Sequence, residues 1–336
     1  MAKSLFAVLV GSESLLGREI RDIVATSEPG FELRLIAADG EEAGRLTRVG
    51  DDPVTVGDLD AVNLSGAGAV FLAGSAASSQ KALELAEDEE TPVIDLTPAS
   101  EEHAGARVRA PLLESPEEER GGDSRLHVIA HPAAMALARL LRRLHANDPL
   151  RRAVVQIFAP ASEQGKAGVE ELQQQTISLL SFKPLPHEVF DTQLSFNMLA
   201  RYGEDAPIPL EDTELRIERH LATLLDLPGE GRGAPLPSLR VIQAPVFHGY
   251  SFGVWVEFED IPDVEAVEAS LAAGNIEVRS GEFEPPTNVG QAGQSGMAVG
   301  AIAPDRNHPD ALWLWMAADN YRLVAESAVA VARQLL

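Results

Sequence analysis

The sequence predicts an α/β protein in which a doubly wound parallel sheet is followed by a second, α+β domain with a mixed sheet. In the first 131 residues, short apolar runs typical of buried strands alternate with helical patterns. Beyond them the strand-like segments lengthen and alternate apolar with polar positions. With 336 residues, 45% of them hydrophobic, the chain is long enough to bury two cores.

Five apolar runs predict the parallel strands of the first domain. The first, residues 5–10, leads through GSESLLGREI into a helix that continues to Ala25. The other runs are residues 33–38, 69–73, 92–95 and 127–130. We expect the last run to complete the sheet, and the acidic residues 114–123 before it to form a solvated loop.

The stretch HVIAHPAAMALARLL, residues 127–141, joins this last strand directly to a helix. Pro132 ends the strand, and from Ala133 the apolar positions recur at helical spacing. The start of a helix offers unpaired N–H groups and partial positive charge, which suit a nucleophile with a lowered pKa. Here the first turn carries Ala133, Ala134 and Met135, and none of these is a nucleophile.

The second domain is expected to span residues 132–319, and the final helix, residues 320–336, to return to the first domain of residues 1–131. Strands are predicted at 153–158, 277–279 and 313–316, and in a long β segment, 241–258, with a short interruption. Helices are predicted at 133–145, 169–180 and 264–273. Loops rich in Gly and Pro, at 227–238 and 285–296, separate them.

Composition excludes several classes of function. A net charge of -25 leaves no excess of Lys and Arg to displace counterions from nucleic acid. The absence of Cys excludes disulfides, thiolate metal sites and thiol catalysis. No apolar run has the length of a membrane span, and the run at 5–10 is interpreted as a strand rather than a signal peptide. We therefore expect a cytoplasmic protein with no nucleic-acid or membrane partner.

The turn after the first strand has part of the Gly pattern of a Rossmann-like dinucleotide-binding fold. Gly11 and Gly17 stand where the backbone must approach a pyrophosphate, but the middle position is Ser14 and Glu13 adds a carboxylate. Asp39, about 20 residues beyond the turn, would suit a ribose 2′-OH and favours NAD over NADP. The alternative interpretation is that Asp39 is only a polar residue at the end of a strand.

Several motifs, taken together in order, resemble the aspartate-semialdehyde dehydrogenase family over nearly the full chain. They correspond to the glycine loop, the segment of the nucleophilic Cys, two active-site segments and the start of the terminal helix. In this sequence they are GSESLLG (11–17), HPAA (131–134), FAPASEQG (158–165), QAPVFHGY (243–250) and DNYRLVAE (319–326). The resemblance implies a Rossmann-like domain, a second domain that dimerises, and an NADPH-dependent reduction of an acyl phosphate through a thioester.

Most functional positions implied by this resemblance hold unsuitable residues. Ala134 replaces the nucleophilic Cys and cannot form a covalent acyl intermediate. Ala159 replaces a Gln, Gln243 an Arg that would grip the substrate carboxylate, and Tyr250 a proton-transferring His. Glu41 and Glu101 replace two further phosphate-binding Arg residues, and Arg216 takes the place of a substrate-contacting Lys. The resemblance leaves Gly11, Ser14, Gly17, Asp39 and Asn320 as candidate cofactor-binding positions.

Compensating chemistry has few candidates in the sequence. His127 and His131 are expected on one face of a strand, about 13 Å apart, too far to share a metal ion. His248 and Tyr250, with His131, would line the former catalytic cleft, although packing is the simpler interpretation. Ser162, Gln164 and Lys166 precede or open a helix, for which capping is the favoured explanation.

Three hypotheses of function follow. The first is a catalytically silent homologue, homodimeric through apolar residues in VWVEF (254–258) and LWLWM (312–316), that acts by binding a partner or ligand. The second is an NAD-dependent oxidoreductase without a covalent intermediate, in which Asp39 holds the ribose and Tyr250 or His248 acts as the acid. The third is mixed assembly with an active paralogue. The sequence predicts no metal site.

Overall fold

The computed structural model describes residues 5–27, 29–86, 90–114, 124–274 and 276–336. The described chain divides into two compact units, one of residues 1–130 and 324–336 and one of residues 131–323. The expected acidic loop at 114–123 lies outside the described residues except for Glu114.

The first unit contains a six-stranded, wholly parallel sheet within the described residues, in the order β2-β1-β5-β6-β8-β7. Its strands are β1 (Phe6–Val10), β2 (Glu32–Ile36), β5 (Ala69–Leu72), β6 (Val93–Asp95), β7 (Ala106–Arg109) and β8 (Leu126–Ile129). A separate hairpin is formed by β3 (Leu46–Val49) and β4 (Asp52–Thr55). Its helices are α1 (Leu15–Ser27), α2 (Ala61–Leu64) and α3 (Ala76–Leu85).

The inner strands β1 (FAVLV) and β5 (AVFL) are buried because they are apolar on both faces, as parallel strands between helices must be. Val8, Val70 and Val93 belong to one core cluster on this sheet. The five predicted strands are present, and β8, the strand predicted at 127–130, is the last strand of this sheet along the chain. Strand β7, which was not predicted, forms the edge beyond β8.

The second unit contains a six-stranded mixed sheet within the described residues, in the order β10-β9-β11-β14-β13-β12. Its strands are β9 (Leu150–Ala159), β10 (Ser238–Gln243), β11 (Tyr250–Phe258), β12 (Glu277–Arg279), β13 (Met297–Pro304) and β14 (Ala311–Ala318). Its helices are α4 (Pro132–Asn147), α5 (Gly165–Leu180), α6 (Leu210–Asp226), α7 (Val264–Ala273) and α8 (Asn288–Gln291). The terminal helix α9 (Asn320–Leu335) starts in the second unit and continues into the first.

These two sheets confirm the predicted fold class. The predicted β segment 241–258 is two strands, β10 and β11, which lie on either side of β9. The Gly- and Pro-rich segment 285–296 is not only loop, because Asn288–Gln291 forms a helical turn capped by Thr287. Helix α4 is buried over most of its length and packs against α6 and α7.

Candidate functional site

The first turn of α4 is built around His131. Pro132 has no N–H to satisfy and suits the first helical position, and His131 caps the turn by accepting the N–H of Ala133 at Nδ1, 3.2 Å away. Ala134 follows, fully buried, with a methyl group as its side chain. His131 is therefore a helix cap and not a strand residue. The expectation that His127 and His131 share one strand is wrong, since only His127 lies in β8.

A buried carboxylate, Glu163, joins His131 to Tyr250. His131 Nε2 lies 2.9 Å from Glu163 Oε1, and the Tyr250 hydroxyl donates to Glu163 Oε2 over 2.7 Å. Because the other ring nitrogen of His131 accepts a backbone N–H, Nε2 carries the proton in this pair. The side chain of His131 is inaccessible and that of Glu163 is 13% exposed.

The electrostatics of this cluster keep Glu163 ionised and Tyr250 protonated. Burial raises the pKa of Glu163, but the neighbouring His131 and the hydrogen bonds from His131 and Tyr250 outweigh burial and lower it to about 2. Burial and the adjacent Glu163 carboxylate raise the pKa of Tyr250 well above its ordinary value. Tyr250 is therefore a hydrogen-bond donor whose proton is already engaged, and it is a poor base at neutral pH.

Gln243 lies at the end of β10 in a fully satisfied network. Its amide accepts a hydrogen bond from the Tyr202 hydroxyl over 2.7 Å and donates to the carbonyl oxygens of Ala159 and Ala244, 2.9 and 3.1 Å away. Gln243 and Ala159 are both fully buried. Because the Gln243 side chain is neutral and makes its hydrogen bonds within the core, it offers no charge to an anionic substrate.

His220, on α6, supports the start of α4. Its Nδ1 accepts the backbone N–H of His131 over 2.9 Å. Burial, together with the nearby Arg216, lowers the pKa of His220 to about 3. The ring is therefore neutral at physiological pH and serves as a buried acceptor.

A second cluster brings together Ser162, His248 and Asp319 from three distant segments. The Ser162 hydroxyl lies 3.1 Å from His248 Nδ1, and His248 Nε2 lies 2.8 Å from Asp319 Oδ2. Asn320 Nδ2 donates to the Ser162 oxygen over 3.1 Å. The capping interpretation of Ser162 is wrong, since neither the 3-10 turn Ala161–Gln164 nor helix α5 has a side-chain cap.

Asp319 is held in place by backbone N–H groups. Its Oδ2 accepts the N–H of Gly293, and its Oδ1 accepts those of Tyr321 and Arg322, over 2.7, 2.9 and 2.9 Å. Burial raises the pKa of Asp319, but the bond from His248 and these N–H groups lower it below its ordinary value. The carboxylate is ionised and fixes the orientation of the His248 ring.

In the first unit, two glycines in and after the turn that follows β1 allow backbone segments to pack closely against each other. Gly11 has φ +84°, and a Cβ there would lie 2.3 Å from the backbone nitrogen of Gly74. A Cβ at Gly17 would lie 2.1 Å from the Gly11 carbonyl oxygen, so helix α1 packs tightly on the turn. Ser14 uses its hydroxyl within the fold, donating to Ala73 O and accepting Gly17 N, both at 2.8 Å.

Around this turn, backbone N–H groups already donate hydrogen bonds to a carboxylate of the chain itself. Glu41 accepts the N–H of Glu13 and that of Ala38, each over 3.1 Å. Glu13 is neutralised by Arg21, whose guanidinium lies 2.7 Å from its carboxylate. Burial raises the pKa of Glu13, but Arg21 and further polar neighbours lower it overall. A dinucleotide phosphate does not fit this arrangement, because an N–H that would face it already binds the Glu41 carboxylate.

Asp39 lies beyond the end of β2, in an exposed turn. It is therefore not the terminal residue of the strand. Among the described residues, no three His, Cys, Asp or Glu side chains cluster in a way that would hold a metal ion. No helix in the described ranges combines the length and apolar character that a bilayer crossing requires.

Comparison with known proteins identifies the family. A profile described as the semialdehyde dehydrogenase dimerisation domain matches residues 141–323. The chain is 31% identical over 341 residues to a USG-1 protein homolog of Pseudomonas aeruginosa, covering 100% of this chain and 98% of that protein. The chain belongs to the aspartate-semialdehyde dehydrogenase family.

Other members of the family match over their full length. Aspartate-semialdehyde dehydrogenase of Rickettsia bellii is 25% identical over 346 residues, covering 100% of this chain and 99% of that protein. A solved structure of a probable aspartate-semialdehyde dehydrogenase from Pseudomonas aeruginosa superimposes with a TM-score of 0.84 at 28% identity, over 98% of this chain and 97% of that one. The predicted resemblance and the two-sheet architecture are confirmed.

Two features of the site were missed in the sequence. Glu163 lies in the motif FAPASEQG (158–165) between two polar residues, and nothing in its spacing indicates that it meets His131 or Tyr250. Ser162, His248 and Asp319 were each visible, but 86 and 71 residues separate them along the chain. No sequence spacing indicates that they meet.

Proposed function

We propose that this chain is a family member that does not carry out the thiol-dependent reaction and acts by binding a partner or ligand. The observation that carries this proposal is the hydrogen-bonded cluster of Glu163, His131 and Tyr250, in which His131 caps the helix turn that contains Ala134. Where a nucleophile would stand there is a buried methyl group, and His131 and Tyr250 both donate to Glu163. The side chains of His131, Glu163 and Tyr250 hydrogen-bond to one another and have no sulfur nucleophile to activate.

The turn after β1 in the first unit supports a further part of the proposal, namely that the chain does not bind the NADP cofactor. An NADP phosphate approaching the turn would meet the Glu41 carboxylate, which two backbone N–H groups hold in place. A reversed unit charge about 4 Å from its partner changes the interaction by several kcal/mol at an effective dielectric near 20. The second hypothesis, an NAD-dependent oxidoreductase, retains Gly11 and Gly17 in its favour, with Ser14, Asp39 and Asn320 as its remaining candidate contacts.

Calorimetric titration of the full chain with NADH and with NADPH separates these two functions. Our proposal predicts no heat of binding for either nucleotide at micromolar protein concentration. Micromolar binding of NADH, with weaker binding of NADPH, would instead support the oxidoreductase, in which His248 is the remaining acid because the proton of Tyr250 is engaged by Glu163.

The proposal includes a homodimer formed through the second sheet. The family profile that matches residues 141–323 is named as a dimerisation domain. On the sheet, Trp313 is 48% exposed and borders an open groove of about 470 Å³, which Arg152 and the largely buried Trp255 also line. An exposed Trp such as Trp313 is typical of a protein interface, where aromatic residues are enriched. Mixed assembly with an active paralogue would use the same face, and coexpression followed by size exclusion would detect it as comigration.

A further inference from the structure

The Ser162 cluster has the connectivity of a nucleophile, a base and an orienting carboxylate. The Asp319 carboxylate can only accept, so His248 Nε2 carries the proton in their 2.8 Å contact. In the neutral ring, Nδ1 is then the acceptor, and the Ser162 hydroxyl donates to it over 3.1 Å. The two ring nitrogens exchange the places they have in the common serine protease arrangement, but each role is filled.

From this geometry we propose that Ser162 is a nucleophile that accepts acyl groups from small activated esters, with His248 as its base and Asp319 orienting the ring. The reaction goes beyond the proposed binding function and uses none of the positions at which the family chemistry is lost. It needs no cofactor, since the only other reactant is water.

The Ser162 oxygen forms a bond to the acyl carbon while its proton passes to His248 Nδ1, and the same proton leaves with the departing alcohol. Water then attacks the acyl-serine, giving one proton to Nδ1, and that proton returns to the Ser162 oxygen as the acid is released. No electron transfer is involved.

Two further features favour this role. Ser162 lies in the 3-10 turn Ala161–Gln164 that runs directly into α5, where the partial positive charge of a 16-residue helix favours a developing oxyanion. Asn320 Nδ2 donates to the Ser162 oxygen over 3.1 Å, and of the two acceptors near the hydroxyl proton, His248 Nδ1 at 3.1 Å is closer than Asn320 Oδ1 at 3.4 Å. The Gly249 N–H and Ser162 both contact the Asn320 side chain, which fixes it.

Burial limits the substrates. Ser162 is 1% exposed, whereas the side chain of His248 is 29% exposed, so a reagent approaches past the imidazole edge. This geometry selects small acyl groups such as acetyl and rejects bulky ones.

Because the chain contains no Cys, the substitution Ser162→Cys introduces a single thiol whose reaction with iodoacetamide reports both access and activation. The matched control is Ser195→Cys, since Ser195 is also 1% exposed but bonds to the Thr176 hydroxyl and not to an imidazole. We expect S162C to react at least tenfold faster than S195C in the native protein, and His248→Gln to remove that difference. Equal rates, or reaction of S162C only in denaturant, would overturn the proposal.

The native hydroxyl is tested with p-nitrophenyl acetate. The wild-type chain should gain one acetyl group, located at Ser162 by peptide mass spectrometry. Ser162→Ala should abolish this acylation, and H248Q should slow it by about 100-fold or more, the usual contribution of a positioned base. Thermal melts of each variant establish that it is folded. Acetylation of S162A at the wild-type rate, or at other sites alone, would contradict the role of Ser162. Neither outcome bears on nucleotide binding, so the proposed function is tested separately.

Discussion

Replacing Glu163 with Gln tests the buried cluster beside Ala134. The substitution keeps the shape of the side chain but removes the charge that accepts from His131 and Tyr250. The pKa of Glu163 falls from an ordinary 4.5 to about 2 in the fold. At about 1.4 kcal/mol per pH unit, this difference corresponds to roughly 3 kcal/mol of stability at neutral pH. Two charge-assisted hydrogen bonds give a figure of the same order.

The lowered pKa of Glu163 determines how the stability cost of E163Q changes with pH. A carboxyl group whose pKa is lowered by folding stabilises the protein fully above its unfolded pKa, and this stabilisation is lost as pH falls through the folded value. For Glu163 the window runs from about 4.5 down to about 2. The difference in unfolding free energy between wild type and E163Q should therefore shrink from about 3 kcal/mol at pH 7 to about 1 kcal/mol at pH 3.

Urea unfolding at the two pH values measures this difference. The matched control is Glu170→Gln, which removes an exposed ion pair, 3.4 Å from Lys166, on the helix that follows Glu163. Such surface pairs contribute less than about 1 kcal/mol. A cost below about 1 kcal/mol for E163Q, or a cost that does not change between pH 7 and pH 3, would refute the ionised cluster.

Three further predictions concern the turn, the first core and the second sheet. Glu41→Ala should free the N–H groups of Glu13 and Ala38 and give NADPH binding that calorimetry detects, whereas the wild type and the exposed Glu42→Ala variant should give none. Absence of NADPH binding by E41A would contradict the account of the turn. Burial, together with Arg109, lowers the pKa of His127 to about 4. NMR should therefore show a neutral His127 ring at pH 5.5 that becomes charged near pH 4, and the protein should lose stability as the pH falls from 6.5 to 4. Titration of His127 near pH 6.5 would be inconsistent with the buried site. Trp313→Asp should convert a dimer to a monomer in light scattering, while Val62→Asp, an 81% exposed residue of the first unit, should not; a dimeric W313D would exclude this face.

Sequence patterns predicted some elements to the residue. Helix α7 and strand β12 have the predicted bounds, Val264–Ala273 and Glu277–Arg279. Strand β7, ARVR, was not predicted because its charged residues resemble a loop. Arg109 is nevertheless buried, since Glu114 pairs with it at 2.8 Å. Local charge gave no sign of this partner, because pairing depends on tertiary contact.

The candidate site was predictable only where it follows a motif. The alignment placed Ala134 at the start of a helix, and the structure places it in the first turn of α4. The partners of His131 and Tyr250 were not foreseen, because Glu163 reaches them from a segment 32 residues after one and 87 before the other. Helix α6 was missed although Ile217, Leu221 and Leu224 recur at helical spacing, since the surrounding segment matched no motif.

The most direct test of the central claim is the turnover of aspartate semialdehyde by the purified full-length chain. The assay follows NADPH formation with phosphate and NADP present, beside an active member of the family as the positive control. A buried alanine in place of the thiol predicts no rate above the background without protein. Phosphate-dependent turnover at an enzyme-like rate would contradict the account.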